Sequence, residues 1–91
     1  MTPKSKSLGI SLLPEAAAQF RALDGDQWRE KITHLLRGLS ENPSKGKALQ
    51  GPFEGMYVCA VGSYRILYAI DFGQRRVTIR RIAPVHSKGL L

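Results

Sequence analysis

The strongest pattern along the chain is an apolar stripe in its second quarter. Trp28, Ile32, Leu35, Leu36 and Leu39 recur at +4, +7, +8 and +11 from the first of them, the spacing of one helix face. Arg29, Glu30, Lys31 and Arg37 occupy the other sides. Asn42-Pro43 ends this helix, because proline cannot continue it and biases the residue before it towards extended backbone. A shorter helix is predicted just upstream, over PEAAAQFRAL (Pro14–Leu23), with Ala16, Phe20 and Leu23 on one face. Proline suits its first turn, and Glu15 stands where the helix dipole favours an anion. Asp24-Gly25-Asp26 supplies the turn, and Asp26 is a suitable N-cap for the longer helix. The two helices read as an αα-hairpin, each with one greasy face to bury.

Period-two patterning accounts for the rest. Ser7–Leu13 predicts a first strand, closed by Pro14. Residues 42–55 read as loop, with three glycines, two prolines and two lysines. Three strands are then predicted, over Glu54–Val61, Ser63–Asp71 and Arg75–Ala83, joined by tight glycine-containing links. In the middle one, Tyr64, Ile66, Tyr68 and Ile70 share a face, and Arg65 falls opposite with Leu67 and Ala69. Alternation in the last strand turns Val77 and Ile79 to the helices, together with Arg75 and Arg81, and leaves Arg76, Thr78 and Arg80 on the open face. Arg81 is expected where the strand leaves the core. The expected class is α+β: an N-terminal strand, an αα-hairpin, then a three-stranded antiparallel meander (β-α-α-β-β-β), with the helices packed on one face of a mainly antiparallel sheet. With 91 residues, one domain spanning 1–91 is expected.

Charge changes this picture most. Fourteen Lys and Arg against seven Asp and Glu give a net +7, which favours a polyanionic partner, either nucleic acid or an acidic protein. The single cysteine, Cys59, excludes an internal disulfide framework and a multi-cysteine metal site. His34, His86 and the scattered acids show no paired ligand spacing, so neither metal nor cofactor is expected. Cys59 alternates with Tyr57 and Val61 and reads as a buried, inert thiol; His34 reads as a helix-boundary residue, and Trp28 as core. No serine lies in a nucleophile elbow, and GKALQGPFEG lacks the Gly-Lys-Ser/Thr ending of a phosphate-cradling loop. No apolar run approaches the roughly 20 residues of a membrane span, and MTPKSKSLGISLLP is a poor signal peptide, so no membrane association and a cytoplasmic location are expected. What remains is a basic constellation of Arg65, Arg75, Arg76, Arg80, Arg81 and Lys88. An arginine-lined sheet face suits an RNA backbone; the plainer reading is a solvated face whose charges discourage edge pairing.

The order of motifs adds a family. Lys47-Ala48-Leu49-Gln50-Gly51, then Gly55-Met56-Tyr57-Val58, then Gly62-Ser63-Tyr64-Arg65-Ile66-Leu67-Tyr68-Ala69-Ile70-Asp71, then Val77-Thr78-Ile79-Arg80-Arg81-Ile82-Ala83 resembles the RelE/ParE toxin superfamily over essentially the whole chain. The resemblance implies the toxin of a type II toxin–antitoxin pair with a cognate acidic antitoxin that wraps it. RelE-like members cut messenger RNA in the ribosome without a metal ion, and ParE-like members poison DNA gyrase on a similar scaffold. Carried over, Arg65 matches the strand arginine and would stabilise the phosphate. Arg81 and His86 are candidates for charge stabilisation and proton transfer. Lys45, Lys47, Arg76, Arg80 and Lys88 are candidate contacts to RNA or ribosome. Two departures stand out: Met56–Val61 contains no basic residue, and Pro84–Leu91 contains no tyrosine. The expected function is therefore a ribosome-dependent endonuclease, with a gyrase inhibitor or a catalytically weak antitoxin-binding scaffold as the alternatives.

Overall fold

In the computed structural model, which describes residues 8–23 and 25–84, the chain runs through β1 (Gly9–Leu12), α1 (Pro14–Arg21), α2 (Asp26–Glu41), β2 (Lys47–Ala48), β3 (Met56–Val61), β4 (Tyr64–Asp71) and β5 (Arg76–Pro84). Short 3-10 turns at Pro43–Lys45 and Gly51–Phe53 flank β2. The five strands form one sheet in the order β1-β5-β4-β3-β2. β1 pairs with β5 in parallel, and the remaining pairs are antiparallel. This is the expected α+β order, β-α-α-β-β-β, with one added strand.

Both helices cover the same sheet face. Ile32 and Leu39 of α2 and Ala16 of α1 meet Ile66, Tyr68, Val77 and Ile79 of the central strands, and all seven have no exposed surface. Phe20, Tyr57, Cys59, Val61 and Tyr64 are half-buried around this cluster. Trp28 lies at its rim, edge-on to Tyr64 at 5.0 Å between ring centroids, with Lys31 Nζ 4.9 Å above the indole. Where β1 ends, α1 takes over the edge of β5, and Gln19 Oε1 accepts the Ile82 N–H at 2.7 Å. An edge donor that would otherwise be unpaired is thereby satisfied.

Three local readings need correction. Asp26 is not the N-cap of α2: Gly25 holds that position at φ 98°, and Asp26 is the first helical residue, 2.7 Å from the Arg29 guanidinium. The turn needs a backbone conformation that glycine adopts without penalty, which moves the acid one step into the helix, where the dipole still favours it. Residues 42–55 are not all loop, since Lys47 and Ala48 pair with Val58 and Tyr57; two residues are too few to show a period.

The third concerns the alternation of β5. Between β4 and β5 the register runs Ile66↔Ile82 and Leu67↔Arg81, then Tyr68↔Ile79, so Arg80 has no partner. This is a β-bulge, in which two residues oppose one. The extra residue reverses the alternation beyond it: Arg81 leaves the helix side, where strict alternation places it, and joins the face of Arg65 and Leu67. Ile82 takes the buried position instead and is 2% exposed.

Candidate functional site

The open face of the sheet carries a row of residues in register across four strands. Lys47 pairs with Val58, Val58 with Leu67, and Leu67 with Arg81. The adjacent row reads Ala60, Arg65, Ala83. Neighbouring strands lie about 4.8 Å apart, so the row begins and ends in a cation roughly 14 Å apart along the sheet, with Arg65 one pleat away between them. The floor is apolar. Leu67 and Ala83 are buried without belonging to the helix-side cluster.

Two concavities open from this floor. Arg65 and Lys47 line one of about 380 Å³ with Leu49, Val58 and Ala60. Arg80 and Arg81 line the other, about 220 Å³, with Leu13, Glu15, Phe53, Met56 and Leu67. Glu15 Oε2 approaches Arg81 Nε to 3.9 Å and also accepts the Gln19 amide at 3.2 Å. Arg81 Nε is shielded from solvent and makes no hydrogen bond.

Lys47 is held in place from beneath the sheet. The Tyr68 hydroxyl donates to Pro43 O at 2.7 Å and accepts the Gly46 N–H at 2.9 Å, spanning the turn before β2. Its ring stacks on Tyr57 at 5.5 Å and 16°. Burial pushes the Tyr68 phenol above its ordinary pKa, with the Gly46 hydrogen bond opposing. Cys59, half-buried beside it, is likewise raised by burial against the opposing charge of Lys45, so this thiol is held protonated.

Arg65, Lys47, Arg80 and Arg81 thus share the open face. Lys45 does not join them: it lines a separate hollow with His34, Arg37, Gly38 and Glu41 at the end of α2. Arg76 is exposed on the open face opposite Asp71, six residues along β4 from Arg65, or about 20 Å. His86 and Lys88 lie outside the described residues. Among the described residues, no three His, Cys, Asp or Glu side chains gather as a metal-ligand set. Sequence reasoning missed Glu15 and the floor residue Leu67. The bulge did leave a trace: the apolar positions Val77, Ile79 and Ile82 change from odd to even numbering at Arg80-Arg81.

A family model covers most of the chain. The model described as ParE toxin of type II toxin-antitoxin system, parDE, matches residues 10–86. A Toxin RelE from Mycobacterium tuberculosis is 46% identical over 53 residues, which span 57% of this chain and 55% of that protein, so the chain covers little more than half the length of this relative. The structure is similar to the toxin–antitoxin complex RelBE2 from Mycobacterium tuberculosis, with TM-score 0.79 and 24% identity over 86% of this chain and 98% of the other. It is also similar to the isolated RelE toxin of E. coli, with TM-score 0.74 and 20% identity over 86% and 84%. By the match over both helices and the whole meander, the chain belongs to the ParE toxin family of type II toxin–antitoxin systems, within the RelE/ParE superfamily.

Proposed function

We propose that this toxin is RelE-like and cuts messenger RNA on the ribosome, with the open sheet face as its RNA surface. The observation that carries the reading is the convergence of Arg65 and Lys47 on one concavity above an apolar floor. In the reaction, the ribose 2′-oxygen attacks the adjacent phosphorus and the bond to the 5′-oxygen of the next nucleotide breaks. Negative charge builds on the non-bridging oxygens, and preorganised cations stabilise it. Arg65 is assigned that role, with Lys47 beside it, and Arg81, across Leu67, adds positive charge at longer range. His86 is assigned the proton transfer, and Lys88 a contact to the RNA backbone. Arg76, about 20 Å from Arg65 along β4, suits RNA outside the cleaved step, and Lys45, turned towards α2, suits a ribosomal contact. The scheme uses side chains alone, with neither metal nor cofactor.

The reading includes a cognate antitoxin, acidic enough to complement the net charge of +7 and able to order as it wraps the helices and basic face. It places the toxin in the cytoplasm with its ribosomes; among the described residues no helix is long and apolar enough to cross a membrane. One observation favours the alternative of a gyrase inhibitor. The open side of β3 presents Met56, Val58 and Ala60 and no cation, a surface better suited to a protein than to phosphate. A scaffold that binds antitoxin without strong catalysis fits the same feature.

The test is expression without antitoxin, followed by mapping of transcript ends on translated messages. Cuts within codons, lost in Arg65→Ala, are the expected result. Intact messages accompanied by gyrase-linked DNA breaks would sink the nuclease reading in favour of the inhibitor, and absence of toxicity would favour the scaffold.

A further inference from the structure

We infer that the β-bulge at Arg80 builds a second phosphate subsite for single-stranded RNA, one nucleotide along from the phosphate at Arg65. The inference rests on the RNA-cutting reading above and says where the strand lies. A regular strand presents every second side chain to one face, so two consecutive arginines cannot both serve it. The bulge removes that restriction: Arg80 and Arg81 line the same cleft, above Leu67, Met56 and Phe53. Two guanidinium groups reaching one cleft can fork a single phosphate.

Three features orient the ligand. Arg81 lies opposite Leu67, two residues from Arg65 on the same face of β4, which is about 7 Å along the strand and comparable to one nucleotide step in an extended strand. The Arg81 Nε donor is shielded without a hydrogen bond, and Glu15, its ion partner at 3.9 Å, stands beyond hydrogen-bond length. A shielded, unsatisfied donor gains from a ligand oxygen that reaches it. The wall of Phe53 and Met56 gives the sugar or base an apolar surface beside the phosphate, since bases of any sequence stack on such groups. Glu15 opposes the anion, which sets the subsite as a weak, exchangeable hold.

The probe is a short, labelled 2′-O-methyl oligoribonucleotide, which cannot be cut, titrated with the toxin at several salt concentrations. Arg81→Gln is expected to weaken binding roughly fivefold and to lower the salt slope by about 0.7, the value for one phosphate contact on a single strand. Arg80→Gln shifts both in the same direction, and Glu15→Gln tightens binding roughly threefold. The opposite sign in Glu15→Gln guards against a mere loss of folding. If wild-type toxin binds the probe while all three variants match it in affinity and slope, the subsite is overturned and the RNA reading survives. If wild-type toxin does not bind the probe, the subsite is overturned, while the RNA reading is decided by the transcript-end mapping above. If the arginine variants weaken an oligoglutamate peptide but not RNA, the cleft belongs to a protein partner and the proposal is overturned.

Discussion

The two faces of β4 and β5 contrast sharply in burial and charge. On the helix side, Ile66, Tyr68, Val77 and Ile79 have no exposed surface and pack against α1 and α2. On the open side the same two strands present Arg65, Arg76, Arg80 and Arg81, of which Arg76 and Arg80 are exposed. Residues adjacent in sequence are thus divided between the packed helix side and the open side of the sheet. The division follows from the pleat, and the bulge at Arg80 is the one place where the chain departs from it.

Substitutions that break this contrast should rank accordingly. Ile79→Ala removes three methyl or methylene groups from a site with no exposed surface, and a loss of about 3 kcal/mol is expected. For a domain of this size that is a large share of total stability. Urea titration checks it, as a lower midpoint with unchanged slope.

Tyr68→Phe is the next largest effect and joins the two faces. It leaves the Gly46 N–H and Pro43 C=O without the hydroxyl they share, a cost of about 1 to 2 kcal/mol. The turn leading to Lys47 should loosen with it, visible as faster amide exchange over residues 44–48. The effect has a signed pH dependence. The folded state favours the neutral phenol, so this contribution is complete below the ordinary tyrosine pKa of about 10 and is lost as the pH rises through the higher folded value. The stability gap between wild type and Tyr68→Phe should therefore be flat near neutrality and narrow on the alkaline side. A gap that widens there would contradict the assignment.

How much of this was legible in the chain depends on the length of each signal. The stripe from Trp28 to Leu39 spans three turns and specifies α2 without tertiary help. The face of Arg65 followed from simple alternation over Tyr64–Asp71. β2 was not legible, because Lys47-Ala48 becomes a strand only by pairing with β3. Strict alternation carried through Arg80 puts Arg81 on the wrong face. The shift of apolar positions from Val77 and Ile79 to Ile82 held the information, but two exposed arginines at the junction make either register acceptable locally. Glu15 reaches Arg81 across 66 residues of chain, and no local pattern reports such a contact.

Deleting Arg80 tests that account directly. The shortened strand would read Val77-Thr78-Ile79-Arg81-Ile82, which alternates regularly and keeps Val77, Ile79 and Ile82 on the helix side. The fold should survive with a change of about 1 kcal/mol or less, since register depends on the buried set. Chemical-shift mapping should show Ile82 and Ile66 still paired. A collapse of the fold would mean that the bulge is structural and not a device of the open face.

The smallest effect is expected from Arg76→Ala. Arg76 stands three residues from Ile79 on the same strand, but it is exposed and faces away from the helices. Its cross-strand neighbour is Asp71, and an opposite-charge pair of this kind contributes a few tenths of a kcal/mol. A loss of about 0.3 kcal/mol is expected, roughly a tenth of that for Ile79→Ala, and it should shrink further in high salt because exposed pairs are screened. If Arg76→Ala instead costs more than about 1 kcal/mol, the open face is also holding the fold, and the contrast between the two faces fails at its edge.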